Sequence, residues 1–176
     1  MKMFFTFLVV TINITVAQKS IEVSGKRINY QNPNSAEWLL VQEAKPKPGF
    51  KGVLMFKHKP ILDDEKRPIE PVFAIVYEQI DEVKDAIEYS VSCLGNKPYK
   101  ISHKLLGGFS EYSSDMHSVV FKGEYVNSGV KHKVLLGYIY HDSVGIEIIA
   151  DATEGVYSKV EKEMMQFLKS VNLAVK

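Results

Sequence analysis

The 176-residue chain lacks several features that define specialised classes of protein. It has a single cysteine, so no disulfide can form within the chain and a disulfide-stabilised scaffold is excluded. The 22 Lys and Arg residues almost balance the 21 Asp and Glu residues. That balance argues against a nucleic-acid-binding protein, because such proteins concentrate basic residues. Hydrophobic residues make up 45% and charged residues 24% of the chain, as in ordinary globular proteins.

Motifs that carry known chemistry are also missing from the sequence. There is no His-Glu-x-x-His, no Cys-x-x-Cys and no EF-hand spacing. The stretch Gly107-Gly-Phe-Ser-Glu111 lacks the second glycine of a nucleophile elbow. His132 and His141 lie nine residues apart, roughly 30 Å along an extended strand, so one metal site using both is not expected. Cys93 is predicted to be a small structural side chain on a helix. We therefore predict no catalytic residue, no cofactor and no metal.

The first 17 residues have the layout of a secretory signal peptide. Lys2 gives a positive start, residues 4–16 are mostly apolar, and Ala17 precedes a plausible cleavage site before Gln18. The apolar stretch is shorter than the roughly 20 residues that span a bilayer. We predict cleavage after Ala17, a secreted or periplasmic protein without a transmembrane anchor, and one domain over residues 18–176. An uncleaved N-terminal anchor is the alternative.

The mature chain alternates between short strands and two amphipathic helices. A hairpin is predicted around Ser24-Gly25, and a second hairpin is predicted to turn at residues 141–143. Asp81 is expected to cap a helix with Val83, Ile87, Val91 and Leu94 on its buried face, and the last helix is expected over residues 154–171. The remaining predicted strands cover residues 53–58, 72–77, 99–105, 109–112 and 119–126, and residues 38–41 are predicted to form a strand or a short helical turn.

Two of these strands indicate the architecture. Residues 134–140 and 72–77 do not alternate apolar with polar side chains, so both of their faces are expected to be buried. The tight turn at 141–143 requires antiparallel pairing. An antiparallel sheet that is buried on both faces needs a helix on each side. The sequence therefore predicts an α+β fold, a three-layer α/β/α sandwich with a central antiparallel sheet.

The order of elements at the end of the chain resembles that of PsbP-like domains. The resemblance rests on Lys133-Val-Leu-Leu-Gly-Tyr-Ile-Tyr140, then Val144-Gly-Ile-Glu-Ile-Ile-Ala150, and a final helix ending in Phe167-Leu-Lys-Ser-Val171. PsbP-like domains share their sandwich with Mog-type Ran-binding proteins and DcrB-like bacterial envelope proteins. The resemblance implies a non-catalytic binding or assembly module. It carries no functional residue over, because no family site motif matches here.

Residues 59–71 contain three prolines and seven charged residues without any period, which predicts a long exposed loop. Long loops commonly carry contacts. We predict that this loop and the preceding strand end form the surface for a protein or cell-envelope partner. The candidate residues are Lys57, His58, Lys59, Asp63, Asp64 and Arg67.

Three hypotheses for the function remain at this point. The leading one is an exported, non-catalytic binding or assembly module of the cell envelope. The second is a small-ligand carrier with a pocket between the sheet and one helix. The third is a hydrolase whose site is assembled from distant residues, which a sequence alone does not exclude.

Overall fold

The computed structural model describes residues 18–34, 36–47, 51–105 and 108–174, so the predicted signal peptide lies outside the described residues. The strands are β1 (Gln18–Val23), β2 (Lys26–Gln31), β3 (Trp38–Ala44), β4 (Gly52–His58), β5 (Ile61–Leu62), β6 (Pro68–Ile69), β7 (Val72–Gln79), β8 (Lys100–Leu105), β9 (Ser118–Asn127), β10 (Val130–His141), β11 (Val144–Thr153) and β12 (Asn172–Ala174). The helices are α1 (Ala86–Leu94) and α2 (Glu154–Ser170).

Seven strands form the central sheet in the order β3-β4-β7-β11-β10-β9-β8, and every neighbouring pair is antiparallel. The predicted hairpin between β10 and β11 is confirmed, with His141 opposite Val144. Asp142 and Ser143 form its turn with positive φ values of 47° and 65°. The chain therefore has the predicted α+β fold, a sandwich around a central antiparallel sheet.

The side of the sheet that faces α2 is closed by two elements. Alternate residues of β10 and β11, among them Leu135, Ile139 and Ile148, point towards α2 and are buried. A three-stranded sheet in the order β1-β2-β12 lies on the same side and adds Ile28 to this core. Its hairpin turns at Ser24-Gly25, as predicted.

The opposite side is covered only in part, because α1 has 9 residues and packs mainly on β9, β10 and β11. Tyr138 and Val134 are buried beneath it. On this side of β7, Val72 and Val76 are only half-buried, whereas Ala74 between them is buried. The prediction that β7 is buried on both faces is therefore correct for the α2 side and only partly correct for the α1 side.

Helix α1 differs from the prediction in its start and in its buried face. Its N-cap is Asp85 rather than Asp81, and the Asp85 carboxylate accepts from the backbone N–H groups of Ile87 and Glu88 at 2.8 and 2.9 Å. Tyr89 is buried, whereas Ile87 and Val91 are 51% and 64% exposed. The large Tyr89 ring fills the space that the sheet leaves, which turns the smaller apolar residues towards solvent.

One predicted loop and one predicted strand also differ from the structure. Residues 59–71 are mostly exposed, as predicted, but they contain the short hairpin β5–β6, with Ile61 opposite Ile69, and are therefore not an irregular loop. Residues 109–112 form bends and no strand. The serines account for this, because the Ser110 hydroxyl accepts from the backbone N–H groups of Tyr112 and Ser113, both at 3.2 Å. Local side-chain bonds of this kind replace a strand ladder.

Candidate contact surface

The segment 59–71 is held in shape by one buried carboxylate. Asp63 Oδ1 accepts from the backbone N–H groups of Glu65 and Arg67, both at 2.9 Å, and Oδ2 accepts from the Arg67 guanidinium at 2.8 Å. These donors, the Arg67 backbone N–H first, lower the pKa of the Asp63 carboxyl below its ordinary value. The prolines and charges in this segment therefore belong to a fixed hairpin rather than to an unstructured loop.

The structure divides the six predicted contact residues into two groups. His58 and Asp63 are buried. His58 Nδ1 lies 2.6 Å from the Lys59 carbonyl oxygen, and its ring packs edge-on against Trp38 at 4.8 Å. These two buried side chains therefore hold the neighbouring backbone in place and are not available to a partner. The residues that reach solvent are Lys57, Lys59, Asp64 and Arg67.

The end of β4 lies beside the start of β3, an edge strand of the large sheet. Lys57 lies opposite Leu39 in the ladder, and the Lys59 backbone N–H donates to the Glu37 carbonyl at 2.7 Å. Leu39, Leu40 and Val41 are 52%, 45% and 50% exposed. We call the β3 residues 39–41 together with Lys57 and Lys59 the β3–β4 surface.

The apolar part of this surface was missed by the sequence reasoning. The sequence predicts a strand or a short helical turn over residues 38–41, which does not show whether their side chains are exposed. The apolar residues 39–41 are exposed because β3 has a neighbour on one side only, and because its pairing shifts by one residue between Leu40 and Gln42. Position within the sheet, which the sequence does not give, decides this.

A second charged region lies where the segment 59–71 meets the N-terminus of α2. A groove of about 370 Å³ runs between residues 63–67 and the β9–β10 turn. Lys131 and Lys133 lie 3.2 and 3.3 Å from the Glu154 carboxylate. Their hydrogen bonds, that from Lys131 first, lower the pKa of Glu154. Most of these charges pair with one another, and the exposed carboxylate of Asp64 is the one acid of the lining without an ion pair among the described residues.

Three histidines lie at the two ends of β10, where His132 pairs with Asp151 at one end and His117 stacks on His141 at the other. His132 Nδ1 lies 2.8 Å from Asp151 Oδ1, and Tyr125 donates to the other oxygen of the same carboxylate. His117 and His141 stack at 4.1 Å, and the pKa of His141 is lowered by burial and by His117. Within the described residues, no group of three or more His, Cys, Asp or Glu side chains is arranged to hold a metal ion.

The polar residues beneath α1 are engaged with one another. Glu147 is buried and accepts from Tyr138 at 3.1 Å and from Lys97. Burial raises the pKa of the Cys93 thiol, which disfavours the reactive thiolate. The position of Cys93 on the inner flank of α1 fits its predicted structural role.

The space between the sheet and its helices is filled at two points where a carrier would need room. A Cβ atom added at Gly145 would lie 2.6 Å from the Tyr89 ring. One added at Gly137 would lie 3.3 Å from Leu168 of α2. A ligand in either place would have to displace a core side chain.

None of the helices that the structure describes is long and apolar enough to cross a membrane.

Comparisons with known proteins support the fold. Neither a protein-family model nor a curated protein sequence matches the chain. Among solved structures, the chain is similar to LpqN of Mycobacterium tuberculosis, a protein involved in cell envelope biogenesis, with a TM-score of 0.60 and 15% identity over 90% of this chain and 91% of LpqN. It is also similar to a Pseudomonas aeruginosa protein of unknown function described as a putative regulator. There the TM-score is 0.50 and the identity 12%, over 86% and 95% of the two chains. The chain thus shares its α+β sandwich with a protein of cell envelope biogenesis.

Proposed function

We propose that the protein is an exported, non-catalytic binding or assembly module of the cell envelope, with the PsbP-like type of sandwich. The observation that carries this proposal is the β3–β4 surface. Three consecutive apolar residues on an edge strand are half exposed there, beside Lys57 and Lys59 at the end of β4. Monomeric proteins normally protect such edges, and exposed apolar residues rimmed by charge are typical of protein interfaces.

The arrangement of this surface suits a protein partner. The outer backbone groups of β3 can pair with an extended segment, and the leucines can give contact area. Lys59 is exposed, and its side chain makes no ion pair with any residue that the structure describes. Such charges can supply specificity at the rim of an interface. The similarity to LpqN in fold is compatible with a role in the envelope and does not define the partner.

Comparative affinity capture from the envelope of the source organism tests this proposal. Val41→Ser removes apolar contact area from the edge strand, and Lys59→Glu reverses one rim charge. Each should reduce the recovery of partners that the unchanged protein captures. Asp63 and Arg67 are unsuitable for this test, because they hold the hairpin together.

Matched controls separate the surface from general effects. Val126→Ser is the control for Val41→Ser, at an exposed residue near the far end of β9. Lys104→Glu is the control for Lys59→Glu, on the opposite edge strand β8. Both should leave capture unchanged. If Val41→Ser and Lys59→Glu capture the same partners in the same amounts as the controls, the β3–β4 surface is not the contact site.

Export is tested independently of the partner. Intact mass and N-terminal sequencing of the protein from its own cells should show a chain that begins at Gln18, and fractionation should place it outside the cytoplasm. A chain that starts at Met1 and stays in the cytoplasm would contradict the proposed location.

A further inference from the structure

A groove unrelated to the β3–β4 surface lies between α2 and the connection from β2 to β3. Its volume is about 520 Å³, within the range of small-molecule sites. The polar side chains that line it are Gln31, Asn32, Asn34, Glu163 and Gln166, with Pro33 and Phe167 as the apolar part. Four of the five polar residues are amides, and no Lys, Arg or His is among the described residues of the lining.

The groove is built on ordered contacts. Trp38 Nε1 donates to Glu163 Oε2 at 2.5 Å, which fixes the carboxylate of α2 against the start of β3. Asn34 turns the chain, since its side-chain oxygen accepts from the Ala36 N–H at 3.1 Å and its carbonyl accepts from the Trp38 N–H at 2.8 Å. Phe167 is anchored by stacking on Phe73 at 4.5 Å. The polar groups therefore face the groove from a rigid support.

One side-chain oxygen of the groove residues lacks a hydrogen-bond donor among the described residues. Asn32 Oδ1 is buried, and no described residue donates a hydrogen bond to it. Buried side-chain oxygens are almost always paired, so each exception needs an explanation. Asn32 also lines the groove, so a rotation of its side chain would let a donor in the groove supply the missing hydrogen bond.

We propose that this groove binds a neutral saccharide. Amide side chains both donate and accept, as sugar hydroxyls do, and the free oxygen of Glu163 can accept from a further hydroxyl. The single negative charge disfavours phosphate and carboxylate ligands. The apolar surface of Pro33 offers a contact for the apolar face of a sugar ring, whereas the ring of Phe167 is buried beneath the groove.

An extended peptide fits these observations less well. A bound peptide backbone needs a row of free backbone groups. In this connection the Asn34 carbonyl already accepts from the Glu37 and Trp38 N–H groups at 3.0 and 2.8 Å. The groove instead offers side-chain amides. A divalent cation is also disfavoured, because one carboxylate that already accepts from an indole is a weak cation site.

The sole tryptophan provides a direct readout for the test. Its indole N–H bonds to Glu163, so ligand binding should move the Trp38 indole resonance in an NMR titration. The probes are cellobiose, maltose, lactose and chitobiose at millimolar concentration. We expect at least one of them to shift this resonance saturably. Gln166→Ala, which removes an exposed amide of α2, should weaken that binding about fivefold, as expected for one hydrogen bond.

Two comparisons make the proposal falsifiable. Gln42→Ala makes the same change on β3 and should leave the titration unchanged. Glucose 6-phosphate and triglycine test the charged and peptide classes. The proposal is overturned if none of the four disaccharides shifts the Trp38 resonance, if Gln166→Ala binds as the unchanged protein does, or if either alternative probe binds more tightly. Val41→Ser and Lys59→Glu report on the β3–β4 surface instead, so the two proposals fail separately.

Discussion

On one side of the seven-stranded sheet the covering layer is a 17-residue helix with a three-stranded sheet, and on the other it is a helix of 9 residues. The first layer buries aliphatic residues and stacked phenylalanines, as between Phe73 and Phe167. The second buries tyrosines and charged groups, such as Tyr89, Tyr138 and Glu147. Apolar burial is non-directional, whereas buried hydrogen-bonding groups need specific partners. The α2 side therefore supplies stability, and the α1 side combines a smaller core with a fixed polar network.

The largest expected effect lies on the α2 side. Phe167→Ala removes a buried ring that stacks on one phenylalanine and meets Phe56 edge-on at 5.8 Å. We expect the free energy of unfolding to fall by about 3–5 kcal/mol in urea denaturation. Phe109→Ala makes the same change at an exposed residue and should alter it by less than about 0.5 kcal/mol. Similar losses for both variants would contradict this description of the core.

A smaller loss is expected when the polar network beneath α1 is broken. Glu147→Ala leaves Lys97 and the Tyr138 hydroxyl without their shared acceptor. We expect a loss of about 2–3 kcal/mol, less than for a fully buried ion pair because Lys97 is partly exposed. Glu161→Ala, which breaks the more exposed pair with Lys122, should cost less than about 1 kcal/mol. An equal cost for the two changes would show that the burial of Glu147 is unimportant.

Alkaline pH should lower the stability of the α1 side through its buried tyrosines, although the α2 side also contains a tyrosine, Tyr157, whose pKa is raised by burial. Burial raises the pKa of Tyr138 far above its ordinary value of 10 and that of Tyr99 to about 12. Above pH 10 the unfolded chain loses these protons while the folded chain keeps them, so stability is complete below pH 10 and falls as the pH rises. Each such group contributes up to about 1.4 kcal/mol per pH unit.

Tyr138→Phe should therefore make the loss of stability between pH 10 and 11 less steep. Leu135→Val, on the α2 side of the same strand, should lower the free energy of unfolding at every pH without changing how steeply it falls with pH. Urea denaturation at a series of pH values measures both. An unchanged slope in Tyr138→Phe would mean that this tyrosine ionises freely in the folded state.

The smallest expected effect concerns the orientation of α1. Val91→Ala should change the free energy of unfolding by less than about 0.5 kcal/mol, because Val91 faces solvent and alanine is the better helix former. Val119→Ala, at a buried residue under the helix, should cost about 2 kcal/mol. A loss of about 2 kcal/mol for Val91→Ala would instead support burial of the α1 face that carries Val91, as the apolar spacing predicted.

Much of the fold could be predicted because it depends on local patterns. The tight turn at 141–143 fixed the β10–β11 hairpin, and the unbroken apolar stretch 134–140 indicated a strand buried on both faces. The spacing of Val156, Val160 and Met164 predicted α2. Helix α1 was harder, since apolar residues occur on both of its faces and only the size of Tyr89 decides which one packs.

The candidate surface could be predicted only in part for a similar reason. The number of prolines and charges drew attention to residues 59–71, but it did not show that Asp63 points inwards. Hydrogen bonds from residues two and four positions later turn this carboxylate into the centre of a hairpin. The exposure of Leu39 and Val41 depends on the missing neighbour of β3, a property of the whole sheet.

By itself the sequence determined the fold class, the absence of an internal disulfide and the balance of charge, because these depend on composition and on periodicity along the chain. Tertiary structure decided which strand lies at the edge, which face of α1 packs, and that four amides and Glu163 share one groove. Gln31 and Gln166 are 135 residues apart in the chain, and only the packing of α2 beside the β2–β3 connection brings them together. Contacts at such separations follow from the sum of all packing interactions, which local patterns do not contain.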